Sequence, residues 1–212
     1  MMVMPANNRA GLVHYWAGKN PGCLGHIHSP GAKITYFDWL PYALDNGRFI
    51  SSTNGRPWDE AAFITHLSYA ATLPQPPLWV VVPDMWGDAS ATLAEWEIWV
   101  PRLRRWGFPL AFAVQDNITP AMVPADCDVV FVGGSDQWRY PRLRDYVAMG
   151  KPVHVGRVNH GKYLWACHDA GVTSCDGTGW LRGDKRQLNE LLHYLEFLNG
   201  TNKHQQMRLI SA

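Results

Sequence analysis

Residues 110–134 read LAFAVQDNITPAMVPADCDVVFVGG. They contain two continuous apolar runs, LAFAVQ (110–115) and DVVFVGG (128–134), and each ends on a polar residue or on glycines. An apolar run without alternation predicts a strand buried on both faces, which is the situation of strands in a parallel sheet. The same pattern recurs on either side, in LVHYW (12–16), KITYF (33–37), YALD (42–45), LWVVVPD (78–84), PVHVGR (152–157) and VTSCD (172–176). Between these runs lie WDEAAFITHLSYAATL (58–73), ATLAEWEIWVPRLRRW (91–106), YPRLRDYVAMG (140–150) and GKYLWACHDAG (161–171), with apolar residues at three-to-four spacing. Asp59 and Glu60 suit a first helical turn, and Gly150 and Gly171 suit C-terminal stops. Strand alternating with helix predicts a parallel sheet.

A doubly wound sheet and a (β/α)8-type barrel both satisfy this alternation. The first is weakened because no GxGxxG follows the first strand. The barrel gains from its polar residues: Asp45, Asp84, Gln115, Gly133 with Gly134, Arg157 and Asp176 each end a different predicted strand. In a barrel these ends converge on one mouth. Asp and Gly are also ordinary turn residues, so the coincidence of six ends carries the expectation and no single end does. The expected fold is a compact α/β (β/α)8-type TIM barrel, one domain over residues 1–212. An amphipathic helix capped by Asp184 is expected at 184–198, followed by a frayed tail.

The composition agrees with one buried core. Hydrophobic residues make up 47% of the 212 and charged residues 17%, too apolar and too weakly charged for a disordered chain. Cys23, Cys127, Cys167 and Cys175 are spread with no CxxC pair, which argues against a zinc site and against a disulfide framework. The first residues lack a signal-peptide pattern and no stretch approaches about 18 apolar residues, so a cytoplasmic chain with no membrane partner is expected. His26 and His28 offer two metal ligands without a third and are read as surface-loop residues.

Two carboxylates at converging strand ends suit chemistry at an acetal-like carbon. One attacks or stabilises the developing cation, and the other moves a proton to or from the leaving group. Asp45 and Asp176 form the best pair. Asn46 and Gly47 make a tight turn that projects Asp45, and Gly177 and Gly179 are expected to let the backbone approach a substrate. Asp84 and Gln115 suit the donors and acceptors of a purine edge, with backbone N–H groups of Gly133 and Gly134 beside them. A salt-bridged barrel residue and a polar strand end are the competing readings of Asp84 and Gln115.

The ordered series LDNGRF (44–49), VVVPDMWGD (80–88), AVQDN (113–117), VFVGGS (130–135), VHVGRVN (153–159) and GVTSCDGTG (171–179) resembles the tRNA-guanine transglycosylase superfamily. It looks most like the short phage-type 7-deazaguanine DNA transglycosylases. The resemblance implies exchange of guanine in DNA for a 7-deazaguanine base, preQ0 or a relative, through a covalent glycosyl-aspartate and without a metal or other cofactor. Asp176 matches the nucleophile that attacks C1′, and Asp45 matches the aspartate that moves the base's proton. Asp84, Gln115, Gly133 and Gly134 match the purine-reading positions. Arg157 and Asn159 share a further motif, with Arg157 expected at the substrate. Past Asp176 the chain has no cysteine for the zinc site of the tRNA enzymes, which favours DNA over tRNA as the substrate.

Charge divides unevenly along the chain. Residues 1–100 hold 5 Lys and Arg against 8 Asp and Glu, while residues 101–212 hold 14 against 10. Arg102, Arg104 and Arg105, then Arg139, Arg142 and Arg144, then Arg182, Lys185 and Arg186 form clusters able to track phosphates. A solvated helix face is the plainer reading of each. Base exchange at a barrel mouth requires the target nucleotide to flip out of the stack, and Trp86, Trp138 and Trp180 follow strand ends where they would meet it. Trp79, Trp96 and Trp99 read as packing residues. A nucleoside or glycoside hydrolase using the same aspartates, and a non-catalytic nucleic-acid-binding barrel, are the alternatives.

Overall fold

A computed structural model of the chain describes residues 1–6 and 10–210, with side chains for 1–6 and 11–200. Eight parallel strands form one sheet: β1 (Met2–Pro5), β2 (His26–His28), β3 (Tyr42–Leu44), β4 (Val80–Val81), β5 (Leu110–Val114), β6 (Val129–Val132), β7 (Val153–Val155) and β8 (Ser174–Gly177). Their order is β1-β8-β7-β6-β5-β4-β3-β2. The two ends of this order meet, because Val3 N–H donates to Cys23 O at 2.9 Å and Gly25 N–H donates to Val3 O at 3.0 Å. The sheet is a closed (β/α)8 barrel, as the strand-end pattern predicts.

The helices are α1 (Ala10–Lys19), α2 (Arg48–Thr53), α3 (Glu60–Ala70), α4 (Ala89–Leu103), α5 (Asp136–Arg139), α6 (Leu143–Val147), α7 (Gly161–Ala170) and α8 (Lys185–Ile210). Asp59 caps α3 by accepting from Ala62 N–H at 2.8 Å, and Gly171 ends α7 with φ 82°. Asp184 takes the Arg186 and Gln187 N–H groups at 2.8 and 3.1 Å and so starts α8. That helix continues to Ile210, so most of the segment expected to fray is helical; residues 211–212 lie outside the described residues.

Two of the eight expected strands are wrong, and two real ones take their place. LVHYW lies within α1, where Val13 and Ala17 are buried four residues apart, the spacing of a helix face. KITYF forms no strand and is part of the β2–β3 connection. The true first strands are the short segments MVMP and HIH. His26 and His28 are therefore buried residues of β2, 2% and 4% exposed, and do not lie in a surface loop.

Strand alternation sorts the core into two shells. Leu44, Val80, Val82, Phe112, Val114, Val130, Val132 and Val155 face the helices and join the larger core, where Trp96 and Trp99 pack as expected. Met4, Ile27, Ala43, Trp79, Val81, Ala111, Ala113 and Val129 point into the barrel. Two residues further along their strands, the inward positions after Ala43, Ala113 and Phe131 are Asp45, Gln115 and Gly133, and the one after Ser174 is Asp176. Period-two geometry thus carries the polar strand ends to the axis of the barrel mouth.

Candidate active site

A cavity of about 480 Å³ opens at this mouth, within the range of small-molecule sites. Asp45, Asp84, Gln115, Gly133, Gly134, Arg157, Asn159 and Asp176 all line it, so six strand ends distant in sequence share one space. Phe49, Trp86, Phe131 and Tyr163 give it aromatic walls. Trp86 is 49% exposed and meets Phe49 edge-on at 5.7 Å.

The Asp-Asn-Gly turn after β3 fixes two carboxylates at once. Asp45 accepts from Ser29 Oγ at 3.1 Å and from Asn46 N–H at 2.9 Å. The Asn46 amide reaches across to donate to Val82 O at 2.9 Å and to Asp84 Oδ1 at 2.8 Å. Gln115 Nε2 donates to Asp84 Oδ2 at 2.6 Å, while Gln115 Oε1 accepts from Gly87 N–H at 3.2 Å. Asp84 thus has one amide donor on each oxygen and keeps further lone pairs for a ligand. Asn46, which sequence reasoning treated as a turn residue, is the strut between Asp45 and Asp84.

Burial, and then the neighbouring charge of Asp176, push the Asp45 carboxyl up from 3.8 to about 6, against the Ser29 hydrogen bond. Burial also raises Asp84, opposed by its hydrogen bond from Asn46 and by the charge of Arg48. Asp45 is therefore suited to exchange a proton near neutrality, the property wanted in a general acid or base.

Asp176 is held from two sides. Its Oδ2 lies 3.0 Å from His154 Nε2, and its Oδ1 accepts from Arg157 N–H at 3.1 Å. Arg157 has φ 56°, a left-handed conformation that a non-glycine residue adopts at a cost of about 1–3 kcal/mol. The buried Arg139 supports it, with a guanidinium that donates to Gly156 O and, at 3.3 Å, to Arg157 O. The Arg157 guanidinium donates to Gly134 O and lies 4.5 Å from the Phe49 ring centre. A Cβ on Gly156 would stand 2.8 Å from Phe131 ring carbons and 3.4 Å from Asp176 Oδ2, so only glycine fits there.

Several expectations need correction. Arg139 is 1% exposed and ion-paired with Asp136 at 2.6 Å; it braces the site from inside and tracks no phosphates. Arg102, Arg104 and Arg105 lie at the end of α4 that leads into β5, opposite the mouth, and Arg102 and Arg104 pair with Glu60 and Asp128. Arg142 and Arg144 are exposed on the outer helices, and Arg182, Lys185 and Arg186 are exposed where β8 leads into α8 at the mouth. Trp180 is fully buried and Trp138 half-buried against Tyr146, which leaves Trp86 as the exposed ring among the three. Gly177 and Gly179 admit Trp180 and Gln187 of the chain itself, so their space does not open to a substrate. Gly133 N–H is paired with Val114 O at 2.9 Å, so of the glycine pair only Gly134 can offer its N–H to a ligand.

His154 was overlooked in the sequence because it interrupts an apolar run. The available signal was its inward parity on β7, next to the inward Ser174 and Asp176 of β8. Among the described residues no three His, Cys, Asp or Glu side chains are grouped as metal ligands, and no helix is long and apolar enough to cross a membrane.

No protein-family model and no curated protein matches the chain. The chain is similar to several solved structures, two of which illustrate the likeness. One, described as "Native KDPGal structure", aligns over 97% of each chain with a TM-score of 0.55 and 10% identity. The other is a cube-shaped, highly porous protein cage designed by fusing symmetric oligomeric domains; it covers 100% of this chain and 78% of its own, with a TM-score of 0.49 and 10% identity. At such identity the first likeness speaks for the barrel alone.

Proposed function

We propose that the chain is an enzyme, a base-exchange glycosyltransferase that replaces guanine in DNA with a 7-deazaguanine base. The observation that carries this reading is the pairing of Asp45 and Asp176 in one cavity with different environments. Asp45 exchanges a proton near neutrality, while Asp176 is oriented by two N–H donors. Asp176 attacks C1′ of the target nucleotide, and the C1′–N9 electron pair leaves with guanine, which takes a proton from Asp45. The incoming base then gives its N9 proton to Asp45 and attacks C1′, and the C1′–oxygen pair returns to Asp176. Asp84, held by Asn46 and Gln115, faces the N–H groups of the purine edge, and Trp86 with Phe49 offers it a stacking wall. Among the described residues that line the cavity there is no lysine to supply an amine for imine chemistry.

The carboxylates lie below the rim, so a base in a duplex must flip out to reach them. Arg182, Lys185 and Arg186, exposed at the mouth with Arg186 also paired to Glu190, supply the positive charge for the phosphates beside such a nucleotide. The test is incubation with guanine-containing DNA, or tRNA, and radiolabelled preQ0. Label entering DNA supports the reading. Guanine release without uptake points to a hydrolase, and no label in either polymer overturns it.

A further inference from the structure

His154 is completely buried inside the barrel, is not among the residues that line the cavity, and meets two that do, Asp176 and Phe131. Its ring packs against Trp79, 4.6 Å away, and Phe131, 4.9 Å away, which also touch each other at 5.8 Å. Both ring nitrogens are engaged, Nδ1 with Ser174 Oγ at 2.8 Å and Nε2 with Asp176 Oδ2 at 3.0 Å. A carboxylate accepts only, so Nε2 carries the proton of the second contact, and the Ser174 hydroxyl, which can donate or accept, engages Nδ1. Asp176 therefore sets the proton on Nε2, while Ser174 at Nδ1 and the two packed rings hold the imidazole in place. Asp176 Oδ2 is turned inward, toward His154 and the space where a Cβ on Gly156 would stand, whereas Oδ1 meets the backbone of Arg157 at the mouth.

We propose that His154 is the positioning residue of the nucleophile: it holds Oδ2 as the non-reacting oxygen, so that Oδ1 forms the bond to C1′, and it favours the free carboxylate over the glycosyl ester. The inference rests on the transglycosylase reading. A hydrogen bond to a carboxylate is stronger than one to an ester carbonyl. When Oδ1 bonds to C1′, Oδ2 becomes that carbonyl and the His154 hydrogen bond weakens; when the bond to C1′ breaks, the electron pair returns to Asp176 and the hydrogen bond regains its strength. His154 thus makes Asp176 a better leaving group in the second half of the exchange and keeps the ester from accumulating.

The experiment mixes enzyme with guanine-containing DNA and free guanine, quenches in denaturant, and measures the ratio of DNA-linked to free protein. His154→Ala raises this ratio about tenfold over wild type while base exchange slows. His154→Gln, whose amide N–H can donate toward Oδ2, brings the ratio back toward wild type. Ser174→Ala, which removes the partner of Nδ1 without opening a large cavity, moves the ratio in the same direction as His154→Ala by a smaller factor. If wild type exchanges base but none of the three variants raises the ratio, or if loss of linked protein simply follows loss of folded protein, the role of His154 is overturned and the transglycosylase reading stands. If wild type gives neither linked protein nor exchange, that reading falls and the inference falls with it.

Discussion

Replacing Asp45 by asparagine is expected to stabilise the folded protein at pH 8 relative to its effect at pH 4. The folded carboxyl titrates at about 6 instead of 3.8, chiefly through burial and then through the charge of Asp176. Between those two pH values the folded chain binds this proton more tightly than the unfolded chain, so stability falls as pH rises through the window. Below the unfolded value the ionisation cost is absent, and above pH 7 it is fully present. At full strength the cost is about 3 kcal/mol, and solvent at the partly exposed mouth reduces it to about 1–3 kcal/mol. Asparagine keeps an oxygen for the Asn46 N–H and offers an amide toward Ser29, so its local losses are small beside the removed charge. Urea unfolding of wild type and Asp45→Asn from pH 4 to pH 8 measures the difference directly. The gain should grow with pH and level off above 7, while base exchange is lost. A stability difference that does not depend on pH, or one that turns against asparagine at pH 8, would refute the argument that Asp45 is a desolvated carboxyl beside a second charge.

Other consequences are as definite. Gly156→Ala places a methyl group 2.8 Å from the Phe131 ring, and the overpacking should lower stability by about 1–3 kcal/mol with a fall in kcat; unchanged melting and activity would show that Phe131 and Asp176 are not confined there. Arg139→Met removes the grip on the carbonyls of Gly156 and Arg157, and with it the support of a left-handed residue. Loss of stability by about 1–3 kcal/mol is expected on thermal or urea unfolding, and a neutral result would remove Arg139 from the site's support. Neutralising Arg182, Lys185 and Arg186 together should weaken DNA binding and flatten its salt dependence by about three charges, while neutralising Arg102 and Arg105 at the opposite end should leave both unchanged; equal effects from the two sets would place the DNA elsewhere.

Most of the barrel was legible because six of its strands are short, largely apolar runs ending on polar residues or glycines. The runs report burial on both faces, and the endings report the mouth. The first quarter misleads for a physical reason. MVMP and HIH are short, four and three residues, and alternating histidines disguise the second. LVHYW has the β-branched and aromatic composition of a strand, yet Val13 and Ala17 fit a helix face against the same core. The cavity residues were readable as a set, but their partners were not. Asn46 acts across the mouth on Asp84, Arg139 acts on backbone carbonyls, and His154 acts on Asp176 from the next strand. Each of these contacts depends on register or on burial, which spacing along the chain does not report. Glycines were the weakest guide, since Gly177 and Gly179 make room for the chain's own Trp180 and Gln187.

The assignment of Asp176 as nucleophile is tested most directly by locating the covalent bond. Enzyme mixed with guanine-containing DNA is trapped in denaturant, digested with nuclease and protease, and mapped by mass spectrometry. The expected result is a sugar remnant on Asp176, absent from Asp176→Asn. A remnant on Asp45 or any other residue, or base exchange that proceeds with no remnant and survives Asp176→Asn, would contradict it.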